Sequence, residues 1–132
     1  MRGRYRLTTP LEGVQQLFGI DGMPNLAARY NIAPTQPVVV IRRGEGGGRE
    51  LTHMRWGLVP SWAKDVGAGP LLIIARADTI AEKPSFRNAF RRRRGLLPAD
   101  GSYEWQPQPS GPNQPLRIAL PGKAPSAVSG LR

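Results

Sequence analysis

The chain is 132 residues long, one domain by length, and 39% of its residues are hydrophobic. It has no cysteine, which excludes disulfides, thiolate zinc sites and a thiol nucleophile, and no apolar run reaches the roughly 18 residues of a membrane span. Sixteen of its 19 cations are arginine, and a formal net charge of +10 points to a polyanionic partner, because arginine offers paired planar donors to phosphate and stacks on bases.

Gly 16 and Pro 14 are spread along the chain, so short elements joined by turns are expected rather than a disordered tail. Arg2, Arg4 and Arg6 open the chain without an apolar signal core behind them, and a soluble cytoplasmic protein is expected. Thr9-Pro10-Leu11-Glu12 predicts a helix start. Thr9 would cap it, Pro10 would fit the first position, and Glu12 would complete a capping box. Leu11, Val14, Leu17 and Phe18 then share a face, and Gly19 with Asp21-Gly22 ends the helix. Val38 to Ile41 reads as a buried strand. Gly44 to Gly48 reads as a hairpin turn, with a returning strand from Leu51 to Leu58.

Leu71 to Ile74 is a second apolar run. Pro84 or Ser85 opens a short helix with Phe86, Ala89 and Phe90 on one face. Arg91 to Arg94 form its last turn, where cations suit the helix dipole, and Gly95 is expected to stop it. Leu96-Leu97 and Ser102 to Trp105 read as strands around an Asp100-Gly101 turn. Gln106 to Pro115 reads as a loop, Leu116 to Leu120 as a strand, and Ala127 to Leu131 as the start of another. About seven short strands with two short helices predict an α+β, mainly-β domain.

Five segments carry a resemblance. They are Met1-Arg2-Gly3-Arg4-Tyr5, Tyr30 to Gln36, Arg55 to Asp65, Ala75-Arg76-Ala77-Asp78-Thr79, and Leu97 to Trp105. Together they resemble the SOS response-associated peptidase family of abasic-site-processing proteins. The resemblance implies a mixed sheet or partial barrel with two short helices. Residues 1–132 would be a single incomplete domain whose C-terminal part, with the family's catalytic histidine, is missing. It also implies abasic-site and single-stranded DNA as partners, no cofactor, no metal, no membrane, a monomer, and a nucleoid-associated location.

In the family the second residue is a cysteine that becomes the N-terminus. Its amine forms a Schiff base with the aldehyde of an abasic sugar, and its thiol closes a thiazolidine. The same cysteine is proposed to cleave the first peptide bond, hence the peptidase (hydrolase) and lyase labels. Here that position is Arg2, whose guanidinium stays protonated and is no nucleophile. Arg2 is bulky, so Met1 is expected to remain and to displace the amine by one residue. The family's catalytic asparagine position is Ile74, and its glutamate is retained as Glu104. Arg4 and Arg76 match phosphate-holding arginines, and Pro34 matches a turn beside the active site. Trp62 rather than Trp56 is assigned to the DNA side. Ser102, Ser126 and Arg132 replace large apolar family residues, a loss of about 1.5–3 kcal/mol each where such sites are buried.

Three readings follow. The chain is an abasic-site-processing domain with its crosslinking chemistry lost, a noncovalent basic module for single-stranded DNA, or a fragment without function of its own. His53, the only histidine, falls in a strand outside the motifs and reads as structural.

Overall fold

The computed structural model of the chain describes residues 3–20 and 25–132. Among the described residues, eight strands form two four-stranded sheets, with two α-helices beside them. The expected mainly-β domain with two short helices is what the structure shows, with every strand pair antiparallel.

The first sheet is built on β1 (Tyr5–Leu7), which pairs on one side with β2 (Arg29–Ile32) and on the other with β6 (Gly101–Gln106). Strand β7 (Gln114–Ile118) completes it at the edge. The second sheet centres on β3 (Pro37–Arg43), between β4 (Arg49–Arg55) and β5 (Arg94–Ala99), with β8 (Ser126–Leu131) outermost. Val38, Val39, Val40 and Ile41 are all buried, so β3 is covered on both faces. That explains its unbroken β-branched run. Its hairpin to β4 turns where expected, with the Gly44 N–H donating to the Gly48 carbonyl at 2.8 Å. The core joins both sheets to the first helix through Tyr5, Leu7, Val14, Phe18, Ile32 and Trp56, among others.

Helix α1 (Leu11–Phe18) buries Val14 and Phe18, and Gly19 ends it in the left-handed conformation. The expected capping box does not form. Thr9 turns its hydroxyl away from the helix to donate to Asp100 Oδ1 at 2.6 Å, and no side chain caps the helix. Leu17 is exposed rather than buried. At the other end Arg49 of β4 donates to the Phe18 carbonyl at 2.7 Å, a cation on the negative helix terminus.

Helix α2 (Arg87–Arg92) sets Phe86 and Ala89 into the protein. Gly95 does not stop it: Arg94 and Gly95 already belong to β5. A Cβ at Gly95 would lie 2.7 Å from Val40 Cγ1, so glycine is there for the close approach of β5 to β3. The Asp100-Gly101 turn is not a hairpin within one sheet. It carries the chain from β5 in the second sheet to β6 in the first. The returning strand ends at Arg55 rather than Leu58. The run from Leu71 to Ile74 forms a single bridge, Leu58 to Leu72, with Leu71 and Ile74 exposed. Ser126, at a position expected to be large and apolar, donates its hydroxyl to the Ala99 carbonyl at 2.9 Å.

Candidate functional site

Gly3 is the pivot of the site. It is buried, with φ +93°, a backbone region that side chains avoid at about 1–2 kcal/mol. A Cβ built on it would sit 4.0 Å from both Pro34 Cγ and Ile73 Cδ1. The chain therefore enters β1 between the 33–36 turn and the 71–74 segment. In the β1–β6 ladder Tyr5 faces Ser102 and Arg6 faces Gly101, and the Tyr103 N–H donates to the Arg4 carbonyl at 3.0 Å. The ladder ends at Tyr5 and Ser102, and Glu104 follows two residues further along β6. Glu104 is half-buried in β6 and faces Leu116 of β7 on its other side.

Trp56 fastens this arrangement. It is buried, its indole Nε1 donates to the Ile73 carbonyl at 2.9 Å, and its ring meets Tyr5 edge-on at 5.5 Å. The Thr35 N–H donates to the Trp56 carbonyl at 2.9 Å, and the Trp56 N–H to the Gln36 carbonyl at 3.0 Å. These bonds hold Thr35 at φ +71°, an uncommon conformation for a β-branched residue and one that clusters at functional sites. Nothing in the sequence around Thr35 signals it.

The structure sets the side chains of Pro34 and Ile73 beside Gly3, with Arg4 next to it in the chain and Ile74, after Ile73, 48% exposed. Arg2 lies outside the described residues. Arg4 Nη1 donates to Asn31 Oδ1 on β2 at 3.1 Å. Arg76 is exposed and forks onto Asp78, Nε to Oδ1 at 3.2 Å and Nη2 to Oδ2 at 2.8 Å. Each partner favours the charged form of the other, so the Asp78 carboxyl is held below its ordinary range and the Arg76 guanidinium is raised. Trp62 stands on the loop after β4, 59% exposed, and makes no hydrogen bond or ring contact among the described residues. Between the Gly3 ring and that loop, Thr35, Arg55, Leu58, Pro60, Ala63 and Leu71 help line a cleft of about 220 Å³. The two tryptophans thus divide: Trp56 is core and Trp62 is surface.

Asp100, at the turn between β5 and β6, organises the exit from β1 toward α1. Its Oδ2 accepts from the Thr8 N–H at 2.5 Å, Thr8 Oγ1 at 2.8 Å and the Thr9 N–H at 2.8 Å, and its Oδ1 accepts from Thr9 Oγ1. Burial pushes the carboxyl up, but the hydrogen bonds from Thr9 and Thr8 outweigh it and hold the group below its ordinary value. Tyr5 shows the opposite balance. Its hydroxyl is buried without a partner, and burial pushes its pKa up to about 12 against the opposing charge of Arg29. His53 is exposed on β4. Among the described residues no cluster of three or more His, Asp or Glu could hold a metal ion, and no helix is long and apolar enough to cross a membrane.

Two antiparallel sheets, the first built on an N-terminal strand entered through a positive-φ glycine, define a class that comparison makes specific. The family model of the SOS response associated peptidases (SRAP) matches residues 1–132, and the chain belongs to that family. It is 39% identical over 134 residues to the abasic site processing protein YoaM of Bacillus subtilis, covering 99% of this chain and 59% of that one. It is 38% identical over 104 residues to the abasic site processing protein HMCES of Rattus norvegicus, across 70% of this chain and 30% of that one. The chain thus spans about three-fifths of the length of its Bacillus relatives. Among solved structures, a protein of Bordetella bronchiseptica superposes with a TM-score of 0.80 at 25% identity, over 98% of this chain and 62% of that one. One from Bacteroides thetaiotaomicron superposes at 0.83 and 22% identity, over 97% and 58%, which speaks for the fold alone.

Proposed function

We propose that this chain binds single-stranded DNA at abasic sites and holds the lesion without capturing it covalently. One observation carries the reading: the SRAP family model matches residues 1–132, while residue 2 is an arginine. The aldehyde of an opened abasic sugar is an electrophile. A guanidinium stays protonated at physiological pH, so it donates hydrogen bonds to the sugar and its phosphates but has no lone pair for attack. Ile74 supplies neither the donor nor the acceptor of an amide beside that sugar. Glu104 remains as a polar wall of the site rather than a proton carrier for a step that no longer starts. Arg4 and Arg76 are the proposed phosphate contacts, with Trp62 as a stacking surface. Asn31 and Asp78 orient the two guanidiniums and leave donors free on each.

The relatives' names, the net charge of +10 and the exposure of Arg76 and Trp62 support this reading. The test is incubation with single-stranded DNA bearing one abasic site, followed by a denaturing gel and, in parallel, a salt titration of binding. Binding that weakens steeply with salt, with no heat-stable shifted band, is expected. A shifted band from the unaltered chain overturns the noncovalent reading. Restoring the thiol with Arg2→Cys is expected to leave crosslinking slower than in an intact relative, because Ile74 stays. Equal rates would remove Ile74 from the argument.

A further inference from the structure

Five of the eight residues from Arg87 to Arg94 are arginine, and all five are exposed. From residue 83 to residue 99 the sequence has no acid. Glu82 precedes the stretch, and Asp100, which follows it, is taken up by Thr8 and Thr9. Among the described residues none of the five guanidiniums pairs with a carboxylate; Arg94 instead stacks on Phe90 at 5.6 Å. The negative end of α2 accounts for about half an elementary charge and acts within one turn. Five full charges exceed it several-fold, so the dipole does not explain the cluster.

The cluster is also shaped. Arg92 and Arg93 line a cleft with Asn88 of the same helix and Ser61 of the loop that carries Trp62. The side chains that line it carry two guanidiniums, a hydroxyl and an amide, and Trp62, whose indole is exposed, follows Ser61 in the chain. The base of the cleft is braced: the Arg93 N–H donates to the Ala89 carbonyl at 2.7 Å, and the Arg93 carbonyl accepts from the Arg132 N–H at 2.9 Å.

We infer that the cleft of Ser61, Asn88, Arg92 and Arg93 is a second phosphodiester seat, separate from Arg4 and Arg76. It takes the backbone of a single strand whose base stacks on Trp62. This rests on the proposed DNA-binding function and extends it: the strand runs from the Gly3 ring across the Trp62 loop to the end of α2. The footprint is then longer than the lesion and its two flanking phosphates.

The test is fluorescence anisotropy with the full chain, using labelled single strands of about four and about fifteen nucleotides at several salt concentrations. Each phosphate contact on a single strand contributes about 0.7 to the log–log salt slope. The double variant R92Q/R93Q is expected to lower the slope for the long strand by about 0.7–1.4. It should leave the short strand, centred on an abasic site, unchanged. R92K/R93K, which keeps the charge, should retain most of the slope, and Arg76→Ala should weaken both strands. A long-strand slope unchanged in R92Q/R93Q overturns the seat, as does an equal loss for both lengths. Polyglutamate that displaces the long strand as well as unlabelled DNA of equal charge also overturns it, in favour of an acidic peptide surface. If the unaltered chain binds neither strand, the DNA reading itself fails. The seat is then judged by titrating tripolyphosphate while following arginine Nε–H resonances by NMR: shifts confined to Arg92 and Arg93 keep an anion seat, and their absence removes it.

Discussion

Asp100→Asn isolates what one carboxylate does for this fold. Asp100 joins the two sheets at the β5–β6 corner, and its own N–H donates to the Arg6 carbonyl of β1 at 2.9 Å. Four donors converge on its two oxygens, two of them backbone N–H groups that cannot reverse their polarity. An asparagine of the same shape can place its oxygen where Oδ2 was and keep those two. The Thr9 hydroxyl can rotate to accept from the new amide. The count of hydrogen bonds therefore survives and the charge does not. Charge-assisted bonds are worth about 1.5–3 kcal/mol against about 1 for neutral ones, so weakening of the set costs about 2.5 kcal/mol. With an unfolding entropy of about 2.1 cal/mol/K per residue, that lowers Tm by about 9 °C. The pH dependence follows from the sign of the shift. The Asp100 pKa lies below its ordinary value of 3.8 in the folded chain, so its contribution is complete above that value and is lost as pH falls through the folded pKa. Thermal melts by circular dichroism between about pH 2.5 and pH 7 should show Asp100→Asn less stable at neutral pH, with the difference shrinking in acid. A variant within about 1 kcal/mol of the unaltered chain at pH 7, or one with the same acid slope, would refute the role given to the carboxylate. A chain without a cooperative transition in these melts would refute the packed domain itself.

Two further substitutions test the frame around Gly3. Tyr5→Phe removes a buried hydroxyl that has no partner and keeps the edge-on contact with Trp56, so denaturant unfolding should show stability unchanged or raised by up to about 1 kcal/mol. A loss greater than about 1 kcal/mol would mean that the hydroxyl has a partner in solution. Gly3→Ala adds a methyl group with room to fit, 4.0 Å from Pro34 and Ile73, so its cost is the positive φ alone. The expected loss is about 1–2 kcal/mol, a Tm lower by about 4–7 °C.

What could be read from the sequence depended on how local its cause was. The β3 run from Val38 to Ile41 and the helical face of Val14 and Phe18 announce themselves because burial alone sets them. The Thr9 cap was misread because its hydroxyl answers to Asp100, 91 residues away in sequence. Gly95 looked like a helix stop because a glycine after four arginines usually is one. The reason for it, Val40 pressing against its Cα, belongs to the pairing of sheets. Composition and spacing do not tell Trp56 from Trp62; the family resemblance favours Trp62 for the surface, and the contacts of Trp56 with Tyr5 and Ile73 give the physical reason. The choice of Arg4, Pro34 and Glu104 as site residues was legible only through the family resemblance, since no spacing rule relates residues 4, 34 and 104.

The same contacts show how a chain can exchange its reactive side chains without loosening the frame that held them. Trp56 grips Ile73 through a backbone carbonyl, which is present whatever side chain stands at position 73 or 74. Tyr103 grips Arg4 through the backbone as well. The Ile74 side chain is 48% exposed and contributes little burial, so an amide or a hydrocarbon there is nearly equivalent for folding. Gly3 and Thr35 are different. Their positive φ values fix the path of the chain past Pro34: a side chain added at Gly3 would strain the strand that begins the first sheet, and Thr35 already carries such strain. Stability therefore constrains the path through the site far more tightly than the chemistry at its mouth. A protein built this way can lose a nucleophile and still present the arginines and the aromatic surface proposed to hold a single strand.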